Sequence, residues 1–291
     1  MKNTQPLISI SEHIVNFKNT KNPYHLAKAI ILLIKRGRTH ELIYGIYCQL
    51  RHPASKIKAN ADITELAIST INSHIDHYKR QYISYQQLLA LHGKQFAIDT
   101  LPKDFAGTRS ESIVILNNQC IIGEYGMDNN SARLFVVDKQ GCRINSKYSE
   151  ISGVRHIHAI HTKNKEEIII TTGDRLKMLD LWEFQASSLV FKKRIKRYLT
   201  GYTGITKVAD KLYFGTDFSA RPNYIETEKG IKYFFPEKAY KKFVMSLHTF
   251  QNRYILALNS DLDEISKDKT LSIFDTQKLC YIYCDIIKIP D

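Results

Sequence analysis

The sequence predicts a mainly β fold: a small β-propeller of four or five blades, preceded by an α-helical N-terminal domain. Three observations carry this prediction. From about residue 110 to residue 291, short apolar and aromatic runs alternate with turn residues. The runs recur in sets whose third members begin near residues 133, 175, 223 and 270, a spacing of 42, 48 and 47. Four strands in each 40–50 residues is the propeller period. Before residue 100 the apolar spacing is instead that of helices. The boundary falls between residues 105 and 106, giving a helical domain 1–105 and a propeller 106–291.

Within the first part, Ala27, Ile30, Ile31 and Ile34 form one helical stripe that Gly37 ends. A second helix is expected over 39–50, stopping before Pro53. A third carries Ile63, Leu66, Ala67, Ile71, Ile75 and Tyr78 on one face, with Asp62 as N-cap and Glu65 in the capping-box position. A fourth runs over 83–91 to Gly93. Together they read as a small bundle.

In the second part, runs at 112–116, 120–124 and 133–137 make the first set, and 156–161, 167–172 and 176–181 the second. Runs at 205–208, 211–215 and 223–226 make the third, and 244–249, 253–258 and 270–274 the fourth. The segments 188–195 and 279–287 are further strand candidates. One blade cannot bury both its faces alone, so the units must pack side by side. Propellers usually close by pairing first and last strands, which makes 279–287 the candidate to join the first blade. A fifth blade would need strands from 8–17 or 94–109.

Hydrophobic residues make up 43% of the chain, enough for a sizeable core, and Gly and Pro number only 13 and 7. The net charge of +13 favours an anionic partner: an acidic polysaccharide, a phospholipid surface or nucleic acid. No helix–turn–helix pattern accompanies the charge, so nucleic acid ranks last. The basic run at 192–197 reads as a solvated outer strand. Five cysteines, at 48, 120, 142, 280 and 284, include no Cys-x-x-Cys pair and read as reduced thiols of a cytoplasmic protein. No metal site is expected from them, and no cofactor motif is present. The start of the chain lacks a signal-peptide pattern. Its apolar stretch 29–34 is far shorter than the roughly 20 residues a membrane span needs, so the expected location is the cytoplasm or the inner membrane surface, without a transmembrane segment.

Four motifs follow one another in three consecutive units: GEYG at 123–126, RHIH at 155–158, TTGD at 171–174, and GTD at 215–217 followed by NYI at 223–225. In this order they resemble sialidase-like bacterial propellers built from neuraminidase-type repeats, over about residues 110–230. The resemblance implies a propeller that handles glycans. The Asp-box turn of such repeats is reduced here to Asp138-Lys-Gln-Gly141, and Trp182 is the sole tryptophan of the chain.

The motifs place Glu124, Asp174 and Asp217 at corresponding strand ends. His156 and His158, two apart, share a strand face beside Arg155. A hydrolytic reading makes Glu124, Asp217 or Asp174 the acid or base, with Arg155, His156, His158, Arg221 and Tyr224 as ligand contacts. Sialidase-type chemistry would use a tyrosine nucleophile, for which Tyr125 and Tyr224 are the candidates. A metal on His156 and His158 is a minor option. The bland reading gives the carboxylates to backbone N–H groups and the histidines to contacts between blades. The leading functional expectation is recognition, with hydrolysis open, of an acidic glycan or lipid-linked glycan precursor in surface-polysaccharide metabolism. The alternative is a non-catalytic scaffold for protein–protein interaction, with a second protein docking on the helices.

Overall fold

The computed structural model describes residues 20, 22–35, 51–59, 61–73, 82–126, 132–148, 154–173, 177–185, 188–195, 201–218, 222–261 and 268–288. They form a four-bladed β-propeller. The first sheet is β1 (Tyr82–Ile83), β2 (Thr108–Leu116), β3 (Gln119–Glu124), β4 (Leu134–Val137) and β5 (Cys142–Asn145). The second is β6 (His156–Thr162), β7 (Glu167–Gly173), β8 (Leu179–Gln185) and β9 (Ser188–Ile195). The third is β10 (Tyr202–Val208), β11 (Lys211–Thr216), β12 (Tyr224–Thr227) and β13 (Lys232–Phe234). The fourth is β14 (Phe243–Phe250), β15 (Tyr254–Ser260), β16 (Asp268–Asp275) and β17 (Cys280–Lys288). Within each sheet every neighbour pair is antiparallel, so each blade is a meander.

Tight turns set the register. Asn117 and Asn118, Ala209 and Asp210, and Gln251 and Asn252 all have φ between 44° and 62°, and they join β2 to β3, β10 to β11 and β14 to β15. Two consecutive positive φ values give a turn whose twist matches that of the strands. The third-to-fourth turns reuse an aspartate. Asp138 Oδ1 accepts from the N–H groups of Gln140 and Gly141, and Asp275 Oδ1 from those of Gln277 and Lys278.

The leading strands β2, β6, β10 and β14 lie side by side around the axis. Three apolar interfaces separate the blades. Ile121, Leu134 and Val136 meet Ile157, Ile168 and Trp182. Ala159, Ile169 and Leu179 meet Ile205, Leu212 and Phe214. Tyr213, Ile225 and Phe235 meet Val244, Ile255 and Phe274. Hydroxyls bridge the leading strands: Ser112 Oγ donates to the Ile157 carbonyl at 2.9 Å, and Thr203 Oγ1 donates to that of Val244. Gly215 clears the way for the next blade, since a Cβ there would lie 2.5 Å from Val244 Cγ1.

Among the described residues, no buried cluster joins the first sheet to the fourth. Helices cover those two end faces instead. The described helices are α1 (Pro23–Lys35), α2 (Ala61–Ser73) and α3 (Tyr85–His92). Leu88 of α3, with Phe96 and Ile98, packs on Cys120, Ile122, Phe135 and Val137 of the first sheet. Ile63 and Ile68 of α2 pack on Leu256, Leu258, Leu271 and Ile273 of the fourth.

Several expectations are corrected. Among the described residues no buried cluster joins the helices to one another as the expected N-terminal bundle would; α3 packs on the first sheet and α2 on the fourth. The helix expected from 83 begins at Tyr85. Ile83 belongs to β1, and Ser84 caps α3 through a reciprocal box with Gln87. Asp62 lies in the first turn of α2 rather than before it. The last strand stays in its own blade, β17 pairing with β16, because a tight Asp275 turn joins the two. No fifth set of strands appears over 94–109, which forms a short 3₁₀ turn at Ile98–Thr100 and then enters β2. The proposed helix 39–50 and the strand candidate 8–17 lie outside the described residues.

A strap of residues 51–58 runs along the outer edges of the third and fourth blades. His52 stacks on Phe234 with ring centroids 4.7 Å apart, and Tyr240 donates its hydroxyl to the His52 carbonyl. Ser55 N–H bonds to the Phe235 carbonyl at 3.2 Å and Lys58 N–H to that of Tyr281 at 2.8 Å. Ile57 and Tyr281 form a parallel bridge. No described helix is long and apolar enough to cross a membrane.

Candidate functional site

The leading strand of each blade starts, and its second strand ends, at one end of the propeller. The register pairs Thr108 with Glu124, His156 with Gly173, Tyr202 with Thr216, and Phe243 with Ser260. This register puts Glu124, at the end of β3, His156 and His158, at the start of β6, and Asp217, just after β11, toward this end. Asp174 and Arg221 lie outside the described residues.

Glu124 closes β3 and is buried. Its Oε1 accepts from Arg133 Nη2 at 2.7 Å and from the Ala106 N–H at 3.0 Å. Its Oε2 accepts from Arg133 Nε at 2.8 Å and from the Arg133 N–H at 3.1 Å. The guanidinium also reaches Asp104, at 3.0 Å to Oδ1. The hydrogen bonds to Glu124 are the largest influence holding Arg133 charged, and those from Arg133 hold the Asp104 carboxyl below its usual range. A two-pronged guanidinium–carboxylate pair is among the strongest polar contacts a protein makes. Here it ties the 104–106 loop to the mouth of the first blade.

Tyr125 follows, bridged to His156 across the first blade junction. The rings of Tyr125 and His156 stack at 3.8 Å and 19°, and the Arg109 guanidinium lies 4.5 Å from the Tyr125 ring centre. His158 sits 6.0 Å from His156, ring to ring, in space that the missing side chain of Gly173 leaves open. Both histidines are buried and Arg155 is half-buried. No group of three or more metal-ligating side chains occurs among the described residues.

At the next junction, Lys177 Nζ donates to the Asp217 carbonyl at 2.9 Å and lies 5.6 Å from the Phe218 ring centre. The Asp217 N–H bonds to the Gly201 carbonyl. Tyr224 is buried in an aromatic cluster with Phe218, Phe234 and Tyr240, its ring 5.8 Å from Phe218 and 5.1 Å from Phe234. The basic outer strand is likewise engaged: Lys192 pairs with Glu167 and Glu183, and Arg194 with the buried Asp180.

Arg133, the partner of Glu124, was absent from the sequence-based candidates, because the two meet only through the β3–β4 register. The strap and the groove beside it were also unforeseen, the sole hint being Pro53 as a break before an extended stretch. The groove, of about 610 Å³, is bounded by Lys56 and Ile57 of the strap, Pro236 and Lys238, and Ile282 to Asp285 of β17. Lys238 pairs with Asp285 across it at 2.7 Å. The thiols of Cys120, Cys142, Cys280 and Cys284 are free. Burial pushes Cys120 up to about 12 and Cys142 up to about 11, so neither is a nucleophile at neutral pH.

No protein-family model matches the chain, and no curated protein matches it significantly. Among solved structures, the N-terminal domain of Nup159 matches with a TM-score of 0.36 and 9% identity, over 60% of this chain and 47% of that one. A complex of S. cerevisiae Dbp5 with Nup159, Gle1, IP6 and ADP matches with a TM-score of 0.37 and 11% identity, over 60% and 46%. The chain thus spans less than half the length of these structures.

Proposed function

We propose that this chain is a non-catalytic propeller scaffold that holds a protein partner. One observation carries the reading: Glu124, the sequence's foremost acid candidate, has both oxygens committed to Arg133 and to backbone N–H groups. A general acid must present an oxygen to its substrate, and both oxygens of Glu124 are occupied by Arg133 and backbone donors. Tyr125 and His156 bridge two blades, and Tyr224 is enclosed by aromatic rings, which supports the same view.

The test pairs two measurements on the full chain. A fluorogenic sialoside and a panel of acidic oligosaccharides should show no turnover above buffer. Affinity capture followed by gel filtration should give a protein complex of fixed stoichiometry. Recognition of an acidic glycan at the Glu124 end, with Arg155, His156 and His158 as contacts, is the rival reading. Saturable oligosaccharide binding lost on Arg155→Ala, with no protein complex, would favour it.

A further inference from the structure

The apolar packing of the third junction ends in a polar pair. On the fourth blade, Ile255, Ala257 and Phe274 pack with Tyr213, Ile225 and Phe235 of the third. Residues two apart in a strand share a face. Asn259 therefore extends the row of Ile255 and Ala257 along β15. Thr270, paired with Asn259 in the register, extends the row of Phe274 and Ser272 along β16. Asn259, Thr270 and Ser272 are all fully buried. Ser272 Oγ lies 3.4 Å from Asn259 Oδ1 and 3.4 Å from Cys284 Sγ. Asn259 Nδ2 and Thr270 Oγ1 have no hydrogen-bond partner among the described residues.

Buried polar groups in folded proteins are nearly always paired. Asn223, equally buried in the third blade, shows the usual outcome. Its Nδ2 donates to the Phe218 carbonyl, and its Oδ1 accepts from the Phe218 N–H and from Thr216 Oγ1. Asn259 and Thr270 do not serve each other in this way. Side chains directly opposite in an antiparallel pair have Cβ atoms about 5 Å apart, and two short ones standing parallel do not close that distance. One water does, through two hydrogen bonds of about 2.8 Å. Turning the Asn259 amide over would exchange an unpaired donor for an unpaired acceptor, and a water satisfies either.

We propose that the third blade junction binds one water molecule between Asn259 and Thr270, accepting from Asn259 Nδ2 and donating to Thr270 Oγ1. A buried water with polar partners is part of the fold and is costly to remove. It lies near the end where the leading strands start, since Asn259 pairs with Val244 at the beginning of β14. The inference does not depend on the scaffold reading.

Thr270→Val replaces the hydroxyl by a methyl of nearly the same shape. With the water bound, this removes one of its partners and should lower the melting temperature of the full chain by about 3 °C. Were the hydroxyl simply unpaired, the same change would remove a buried unmet group and raise it. Asn259→Leu should also lower it. The double variant, which releases the water, should lose less than the sum of the two single losses. A high-resolution crystal structure of the full chain should show a density peak within about 3 Å of the Asn259 amide and Thr270 Oγ1, absent from the double variant. A Thr270→Val protein that melts at or above the wild-type temperature overturns the proposal. So does a crystal structure with no peak there, or one in which either side chain has turned to bond a protein group.

Discussion

Arg133 holds Glu124 in a two-pronged grip, Nη2 to Oε1 at 2.7 Å and Nε to Oε2 at 2.8 Å, with the carboxylate buried at the mouth of the first blade. Removing one partner of such a pair leaves a buried charge without compensation. Arg133→Ala should therefore destabilise the fold by about 3 kcal/mol, near the lower end of values for broken buried pairs, since Arg133 retains some exposure. Glu124→Gln keeps the shape and should cost less. Urea denaturation of both variants measures this. A Glu124→Gln protein as stable as the wild type would mean the pair contributes nothing.

The Asp275 carboxyl gives the fold an acid-side weakness. Burial alone would raise its pKa, but the bonds from Arg253 and from the Lys278 and Gln277 N–H groups outweigh that and hold it low. A group depressed in the folded state adds stability above its unfolded pKa, about 3.9 for aspartate, and loses it as pH falls through the folded value. Stability should drop below about pH 4 in the wild type and drop less steeply in Asp275→Asn. Thermal melts between pH 6 and 2 compare the two slopes.

Gly215 is a packing requirement of the third junction. Gly215→Ala places a methyl 2.5 Å from Val244 Cγ1 and should cost about 2 kcal/mol, the usual scale of overpacking. Val244→Ala opens a cavity and also destabilises. The double variant should be more stable than the sum of the two losses, with a coupling of about 1 kcal/mol. Strict additivity in a double-mutant cycle would contradict the contact.

Cys120 lies fully buried under α3, its thiol pushed up to about 12. At pH 8 iodoacetamide should leave it unmodified in the folded chain and label it in urea. Mass spectrometry of the peptide 119–124 distinguishes these outcomes. Labelling without denaturant would show that α3 lifts from the first sheet under native conditions.

Much of the propeller was legible because its signals are local. Short apolar runs broken by turns, recurring every 42 to 48 residues, are readable without any long-range contact. The N-terminal segment was not legible in the same way. Helical spacing at Ile63 and Leu88 reveals that a face is apolar, but not which surface covers it, and the covers are two different sheets, the fourth and the first. Ile83 was drawn into a helix because an apolar residue before Ser84 fits the helical period as well as a two-residue strand. For the site, the repeat marks Glu124, His156 and Asp217 as strand-end positions, and the register of β3, β6 and β11 bears on these only through the backbone. It could not reveal that Arg133 and Asp104 converge on Glu124, since those contacts depend on strand register and on a loop from outside the repeat.

The strap imposes an order on folding. His52 and Tyr240, joined by a hydrogen bond, are 188 residues apart in the chain, and Lys58 waits on Tyr281 in the final strand. During synthesis the N-terminal segment emerges first, yet its docking surface is completed last. Contacts of such sequence separation are slow to form, because the loop entropy is lost before they return anything. The nascent chain must therefore carry its strap and the apolar face of α2 uncommitted while the blades assemble. The strap can dock on the fourth blade only once β17 has formed.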